Sequence, residues 1–537
     1  MQADPILIAG ADRQRMLVRA LQNPAAYPHP AAAVTLLETH SAYVLLTGGF
    51  AYKIKKAINL GFLDFSSLEQ RRFYCGEELR LNRRLAPELY LAVVPVGGTR
   101  EAPRVGDREA PAGQAECLEY AVKMHEFPQS ALFDRRLSAG ALLPVEIDAL
   151  ADRVAGFHAQ AARAGPGDDY GLPAAVWAPV AENFAQLRVG LDNSRDLDLL
   201  DTLESWSSDE YRRREALLTL RQRNGFVREC HGDLHLGNIV RLHGMPQLFD
   251  CIEFNANLRW IDVLSEVAFL VMDLEERGRA DYAHRLLDRY LEATGDYAGL
   301  PVLPFYRVYR ALVRAKVAGI RATQEAPQAA QQAGATRAQY LQCARRATRP
   351  LTPRLLLMHG VSGSGKTWVS QALLERLGAL RLRSDIERKR LCGLPALARS
   401  GSAIDRGLYD PDATRATYLR LVQLAQMILQ AGFPVIIDAA SLKYWQRKIF
   451  RSLAEALHVP FRMISCHAAE TTLAQRLLAR ERAGADASDA GIAILRHQQQ
   501  RSDPLSPAEQ SESIRFDSEH DSVAHIFQQM GVPPAER

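Results

Sequence analysis

The sequence predicts an α+β, two-lobed (bilobal) unit over residues 1–345, followed by an α/β unit with a parallel sheet over residues 353–537. Three observations carry this. A β-rich stretch precedes a long helical one, strands and helices alternate after residue 355, and a Pro/Gly-punctuated segment separates the two. That segment, Gln324 to Pro353, passes through an Arg-dotted helical stretch and ends in Arg349-Pro350-Leu351-Thr352-Pro353, and two prolines three apart stop a helix. It reads as a surface connection.

The 537 residues are 47% hydrophobic, with 66 basic against 62 acidic side chains, a net charge of +4. At about 100–200 residues per domain this length predicts three to five folding units, and the composition excludes a disordered or collagen-like chain. The near-neutral balance argues against wholesale capture of nucleic acid or anionic membrane. Seven cysteines without a Cys-x-x-Cys pair suit a reducing compartment. The start shows no secretory leader and no stretch has the length of a spanning helix, so a soluble cytoplasmic protein with no membrane partner is expected.

In the first unit a small lobe is expected over about 30–125 and a helical lobe over about 126–345. Val34–Thr47 and Phe50–Ile58, rich in β-branched and aromatic residues around Thr47-Gly48-Gly49, read as a hairpin. Leu68–Leu85 has helical spacing, and Leu89–Val96 and Cys117–Met124 read as strands. Helices dominate from Leu142 to Ala164 and from Val263 to Ala318.

The chemistry of this unit centres on His231-Gly-Asp-Leu-His-Leu-Gly-Asn238 and the strand that ends at Asp250. Asp233 and Asn238 stand five apart. A carboxylate there can accept a hydroxyl proton while the amide oxygen holds Mg²⁺, and Asp250 supplies a second hard oxygen ligand. A lysine for the phosphates is offered by Lys53, with Lys55 on the same face as a rival. Glu78, or less favourably Glu77, can pair with it. His231, His235 and His243 fit no standard zinc spacing, and His231 reads as a brace for the loop. Asp262 reads as a structural carboxylate and His158 as a packed helix residue.

On these residues the block resembles the aminoglycoside-phosphotransferase-like family of small-molecule kinases, which shares the protein-kinase fold. The resemblance covers about residues 35–320. It implies Asp233 as catalytic base, Asn238 and Asp250 as magnesium ligands, and Lys53 with Glu78 as the phosphate-orienting pair. It also implies an adenine-binding hinge over Glu119–Met124, with Tyr120 and Val122 contributing backbone groups. No Gly-x-Gly-x-x-Gly loop precedes Lys53, and Asp250-Cys251-Ile252 stands where protein kinases have Asp-Phe-Gly. The implied acceptor is a small hydroxylated molecule.

In the second unit, Leu355–His359 reads as a strand, Thr367–Leu377 and Thr414–Gln430 as helices, Val435–Asp438 as a strand and Thr471–Ala483 as a helix. Gly360-Val-Ser-Gly-Ser-Gly-Lys-Thr367 fits the phosphate-loop pattern between a strand and a helix. The glycines Gly360, Gly363 and Gly365, with Ser362 and Ser364, let backbone N–H groups curl around phosphates. Lys366 reaches the β- and γ-phosphates and Thr367 holds Mg²⁺. Asp385, after a short strand, is placed to deprotonate an acceptor hydroxyl, and Arg388 one turn later to steady a phosphate. Asp438 ends a strand and supports magnesium. Arg476, Arg480 and Arg482 precede the Gly/Asp/Ser-rich 483–490, which suits a lid; a solvated helix face is the other reading.

This block resembles P-loop kinases of the zeta-toxin-like group, near gluconate-kinase-like and polynucleotide-kinase-like enzymes, over about residues 353–520. The whole chain is similar to a bacterial fusion of an aminoglycoside-phosphotransferase-like block with a P-loop NTPase block. It is expected to be a tandem kinase using ATP, with GTP left open, and Mg²⁺. The first acceptor would be a small hydroxylated molecule; the second a metabolite, a nucleotide or a 5′-hydroxyl nucleic-acid end. Two alternatives stay open: a nucleotide-sensing regulator in which one block gates the other, and an end-repair kinase. Oligomeric state is not legible.

Overall fold

The structure is a computed structural model and describes residues 5–39, 41–59, 63–107, 117–191, 193–324, 326–395, 410–483 and 491–533. It divides into two compact units: Met1–Ala185 with Glu215–Asp273, and Gln186–Arg214 with Leu274–Arg537.

The first unit is built on a six-stranded antiparallel sheet. Its strands are β1 (Thr35–Glu38), β2 (Ala42–Leu46), β3 (Phe50–Lys55), β4 (Tyr90–Gly98), β5 (Pro103–Val105) and β6 (Glu119–His125), in the order β1-β2-β3-β6-β4-β5. Val34–Thr47, expected as one arm of a hairpin, is two strands. The Thr39 hydroxyl explains the break: it accepts from the Ala42 N–H at 2.9 Å and donates to the Ala42 carbonyl at 3.1 Å, reversing the chain. The expected turn at Thr47-Gly48-Gly49 joins β2 to β3, with Gly48 at φ +89°.

Alternation along the strands divides the apolar residues between two cores. Tyr43, Leu45, Tyr52, Ile54, Val94 and Val96 pack with Leu17 and Val18 of the helix Pro5–Ala20 and with Leu21 just after it. Ala51, Val93, Val122 and Met124 pack on the other face with Cys75 and Leu79 of the helix Leu68–Arg83. Each fully buried branched side chain contributes about 1.5–3 kcal/mol, so the sheet is held from both sides. The helix Leu68–Arg83 starts at a capping box: the Ser67 hydroxyl accepts from Gln70 N–H, and the Gln70 side chain accepts from Ser67 N–H, both at 3.2 Å.

The rest of this unit is mainly helical, with two small ribbons. β7 (Val227–Glu229) pairs with β10 (Trp260–Asp262), and β8 (Ile239–Leu242) with β9 (Met245–Leu248), both antiparallel. His243 and Gly244, at φ +49° and +82°, make the tight turn of the second ribbon. The ribbons frame the loop that carries Asp233.

The second unit contains a five-stranded parallel sheet: β11 (Leu355–His359), β12 (Leu380–Arg383), β13 (Val435–Asp438), β14 (Phe461–His467) and β15 (Ser513–Asp517), ordered β12-β13-β11-β14-β15. Every residue of β11 and β13 is buried, as a sheet covered on both faces requires. The stretch expected as a surface connection with an Arg-dotted helical part forms one helix, Pro327–Ala347. Its Tyr340, Leu341, Ala344 and Ala347 are buried and it packs along the helix Leu303–Gln324. The edge strand β12 is covered by the helix Ala280–Thr294, whose Asp288 carboxylate accepts the Arg381 N–H at 2.6 Å. None of the seven cysteines is in a disulfide, and among the described residues no helix is long and apolar enough to cross a membrane.

Candidate active sites

In the first unit, β3 brings Lys53 and Lys55 to one face, as alternation requires, and the helix Leu68–Arg83 sets Glu78 against both. Lys53 Nζ donates to Glu78 Oε1 at 2.8 Å and to the Asp250 carboxylate; Lys55 Nζ donates to Glu78 Oε2 at 2.6 Å and to the Glu253 carboxylate. The two lysines differ by partner: Lys53 reaches Asp250, which is 42% exposed, whereas Lys55 is sealed among Glu78 and Glu253. Burial alone would lower the Lys53 ammonium, but Asp250 and Glu78 outweigh it and hold it well above the usual lysine value. Burial opposes ionisation of Glu78 as well, yet the two lysines pull its carboxyl down to about 2.

Asp233 and Asn238 are brought together by the loop between β7 and β8: the Asn238 amide donates to the Asp233 carbonyl at 2.9 Å and carboxylate at 3.2 Å. Gly232, at φ +90°, must be glycine, because a Cβ there would meet the Leu258 carbonyl at 2.8 Å. Buried carboxylates hold the loop. Glu266 accepts from the His231 and Gly232 N–H groups, each at 2.7 Å, and bonds His158 at 2.8 Å; Asp273 accepts from Leu236 N–H at 2.9 Å. His231 braces the loop: its Nε2 meets the Phe249 carbonyl at 2.8 Å and its Nδ1 accepts from Asp233 N–H at 3.3 Å. His158, Cys230 and Glu266 lie close enough to suggest a metal, but the Glu266 oxygens are already committed to these bonds. Asp262 is structural, binding Arg221 at 2.6 and 2.8 Å and accepting from Leu264 N–H at 2.9 Å.

Asp250 is a non-glycine residue in the left-handed region, φ +67°, a conformation costing about 1–3 kcal/mol. Neighbours hold it there. The Tyr90 hydroxyl accepts from Asp250 N–H at 3.1 Å, and Asn82, whose Nδ2 bonds the Glu78 carbonyl at 2.8 Å, accepts from Cys251 N–H at 2.9 Å. Asn82 thus ties the glutamate's helix to the aspartate's strand end, a link that no local motif reveals.

The hinge assignment is corrected. Tyr120 and Val122 lie inside β6, which is paired on both edges: Val122 stands opposite Lys53 in β3 and Val93 in β4. Tyr120 N–H donates to the Glu119 carboxylate at 3.1 Å. The backbone groups of Val122 are spent on the ladder, and the Tyr120 N–H on a carboxylate, so neither is placed to read an adenine edge. The strand leaves the ladder only beyond His125, where Phe127 packs edge-on to Phe249 at 5.3 Å.

In the second unit, the phosphate loop runs from β11 into the helix Lys366–Leu377. Gly360, Gly363 and Gly365 all have positive φ; a Cβ at Gly360 would lie 2.5 Å from the Cys466 carbonyl. Lys366 Nζ rests on the Val361 carbonyl at 2.8 Å, and burial lowers its ammonium. Ser364, within the loop, is fully buried. Ser362 N–H donates to the Gln498 side chain at 2.8 Å, a partner the sequence reading missed. A cavity of about 850 Å³ opens on the loop; Thr367, Asp385, Arg388, Asp438, Arg476 and Arg480 line it with Lys366. Arg388 pairs with Asp385 at 3.2 Å, and Ser370 links the Thr367 carbonyl, at 3.0 Å, to Asp438, at 3.2 Å. Arg476 bonds the Gly363 carbonyl at 3.1 Å and the Ser518 hydroxyl at 2.7 Å, which ties it to the loop rather than to a solvated face. The expected lid segment lies, at 484–490, outside the described residues.

The donors suit magnesium in both sites. Asn238 commits its amide nitrogen to Asp233, which leaves its oxygen, a hard ligand like the Asp250 carboxylate. Thr367 and Asp438 offer oxygen donors on the cavity that Lys366 also lines.

The phosphotransferase enzyme family matches residues 75–306, and the AAA domain family matches residues 355–505. The uncharacterized proteins Rv2004c of Mycobacterium tuberculosis (strain ATCC 25618 / H37Rv) and Mb2027c of Mycobacterium bovis (strain ATCC BAA-935 / AF2122/97) are each 32% identical over 486 residues, covering 89% of this chain and 94% of theirs. A solved choline/ethanolamine kinase family protein from Mesorhizobium loti is 11% identical, with a TM-score of 0.36 over 62% of this chain and 99% of its own. A solved kinase-like protein from Chloroflexus aurantiacus is 23% identical, with a TM-score of 0.28 over 34% of this chain and 97% of its own. The chain therefore belongs to the family of Rv2004c and its mycobacterial counterparts, and as a kinase or phosphotransferase it joins a phosphotransferase-family block to an AAA-type P-loop block.

Proposed function

We propose that the chain is a tandem ATP-dependent phosphotransferase, with functional blocks at 1–345 and 353–537 that each move a γ-phosphoryl group to an alcohol. In the first, Lys53, oriented by Glu78, holds the donor phosphates and Asp233 takes the proton of a small-molecule hydroxyl. The segment after His125, with Phe127, faces the base of ATP. In the second, the loop from Gly360 to Thr367 cradles the triphosphate, Lys366 bridges its outer phosphates and Asp385 takes the acceptor proton. The acceptor oxygen bonds to Pγ as the Pγ–O bond to ADP breaks, and Arg388 steadies the charge. Magnesium held by Asn238 and Asp250, and by Thr367 and Asp438, would neutralise charge on the phosphates.

The observation that supports this most is the double pairing of Lys53 with Glu78 and Asp250, matched in the other block by Lys366 and Asp385 on one cavity. A gating reading also has support, since the helix Ala280–Thr294, inside the phosphotransferase match, bonds β12 beside the phosphate loop. The test is γ-labelled ATP transfer by the full chain to pooled metabolites, aminoglycosides and 5′-hydroxyl oligonucleotides. Asp233→Ala and Lys366→Ala should each remove a different product. If neither changes ATP consumption, the reading fails; if Asp233→Ala changes transfer by the other block, gating replaces independence.

A further inference from the structure

A second buried ion pair stands beside the one that the first unit's chemistry uses. Lys55 lies two residues beyond Lys53 on the same face of β3, and Glu253 lies three residues beyond Asp250. Lys55 Nζ donates to Glu78 Oε2 at 2.6 Å and to the Glu253 carboxylate, and it stands 4.9 Å from the centre of the Phe65 ring. The side chains of Lys55, Glu78 and Glu253 are 1%, 0% and 7% exposed, so Lys55 offers no surface to a triphosphate. Phe65 packs against Tyr74 at 5.3 Å and edge-on to Phe254 at 6.5 Å, which closes the box.

One neutral donor, a hydroxyl or an amide, would satisfy the second oxygen of Glu78. The chain instead buries an ammonium there, and then a further carboxylate to balance it. Burying charges is costly, and a buried ion pair seldom adds stability over an apolar pair of similar volume. What it supplies is orientation: with a charged donor on each oxygen, the Glu78 carboxylate cannot rotate without stranding one of them. The helix that carries Glu78 is fastened along its length as well. Arg80 and Arg84 pair with Glu229 at 2.8 and 3.1 Å, and Asn82 accepts from Cys251 N–H at 2.9 Å. Lys53 is shared between Glu78 and Asp250, whose carboxylate also suits a metal. Once that carboxylate turns to a cation, Glu78 alone sets where the Lys53 ammonium stands.

Resting on the reading of Lys53 as the lysine that holds the donor phosphates, we propose that Lys55 and Glu253 are positioning residues for it. They act through Glu78. Glu253 holds Lys55, Lys55 holds one oxygen of Glu78, and the other oxygen is thereby aimed at Lys53. The pair touches neither nucleotide nor acceptor. Its loss weakens ATP binding by the first block, because Lys53 is then held by a carboxylate that is free to turn.

The experiment is calorimetric titration of the full chain with magnesium-ATP, in a Gly360→Ala background that silences the phosphate loop of the second block. Lys53→Met identifies the signal of the first block. Lys55→Met combined with Glu253→Met removes both charges and nearly keeps the side-chain lengths. The Kd for ATP should then rise about ten-fold, the worth of one charge-assisted hydrogen bond, at unchanged stoichiometry and with a melting temperature near that of the background. A pair that served folding alone would lower the melting temperature or the stoichiometry and leave the Kd of the folded protein as it was. An unchanged Kd therefore overturns the proposal. Lys55→Met alone leaves Glu78 and Glu253 around one point without a cation, and should melt below the double variant. Should the double variant fail to fold, Glu253→Gln decides. It keeps the shape and one acceptor oxygen, lets Lys55 draw Glu78 away from Lys53, and should raise the Kd about three-fold; an unchanged Kd again overturns the proposal. ATP binding that is indifferent to Lys53→Met overturns the reading of the first block instead, so the two failures are told apart.

Discussion

Replacing Asp288 should unsettle the phosphate loop, although the residue touches no part of the cavity. Its carboxylate, buried at the edge of β12, accepts the Arg381 N–H at 2.6 Å and stands 3.6 Å from the Arg381 guanidinium. That guanidinium in turn reaches the Thr367 carbonyl at 3.4 Å and Ser370 Oγ at 3.3 Å. At pH 8, where Asp288 is ionised, Asp288→Ala strands a buried cation and a buried N–H, a loss of about 3–5 kcal/mol. Asp288→Asn keeps an acceptor for the N–H and removes the charge, costing about 1–3 kcal/mol. Burial pushes the Asp288 carboxyl up from 3.8 to about 7, with Arg381 opposing and Glu292 reinforcing the shift. The folded state therefore keeps its proton at a pH where the unfolded chain has lost it. This group's contribution to stability is full below about pH 4 and is lost as the pH rises to about 7, at about 1.4 kcal/mol per unit. Between pH 5 and pH 8 the loss is about 3 kcal/mol, or roughly 6–10 °C in the melting temperature of the second unit. Calorimetry of the full chain at those two pH values, for the wild type and Asp288→Asn, isolates the group from the other carboxylates. Parallel profiles for the two proteins, with Lys366-dependent transfer intact, would refute the reasoning.

Further outcomes follow from single contacts. Tyr90→Phe removes the acceptor for the Asp250 N–H and should cost about 1–2 kcal/mol in stability. It should also lower Asp233-dependent turnover more than ATP affinity, measured as a kcat change at constant KM. Gly360→Ala drives a methyl group against the Cys466 carbonyl and should abolish nucleotide binding by the second block in a calorimetric titration while Asp233-dependent transfer continues. Glu78→Gln leaves two buried ammonium groups short of a carboxylate, and should abolish turnover of the first block with a loss of about 3–5 kcal/mol in urea unfolding.

The features legible from sequence were those that chemistry confines to a few consecutive residues. The phosphate loop needs its glycines, lysine and threonine in one strand-to-helix turn, and Asp233 and Asn238 must share one short loop. The pairing of Lys53 with Glu78 was legible because a strand followed by a helix leaves few geometries. Tyr120 and Val122 were misassigned because an apolar strand paired on both edges reads the same as one that ends in a hinge; only the register with Lys53 and Val93 separates them. The Gln/Ala-rich stretch after Gln324 was legible only in part, its Arg-dotted end as a helix and its start as a connection. Its composition is that of a connection, but Tyr340, Leu341, Ala344 and Ala347 recur at helical spacing and form a buried stripe. Asn82, Glu266 and Glu253 were out of reach, since their roles depend on partners brought near only by the tertiary fold.

The interleaving of the two units along the chain has a consequence for synthesis. Everything the first unit needs has been made once residue 273 has emerged, whereas Gln186–Arg214, made earlier, belongs with the last-made half. Leu187, Leu191, Leu200 and Leu203 of that segment, all buried in the finished protein, must wait for their unit to be completed. At about 5–20 residues per second, the remaining stretch to the C-terminus takes roughly 15–65 s. During that interval an apolar stripe stands exposed on the nascent chain, so the protein's yield in a cell should depend on translation speed and chaperone supply as much as on its final stability.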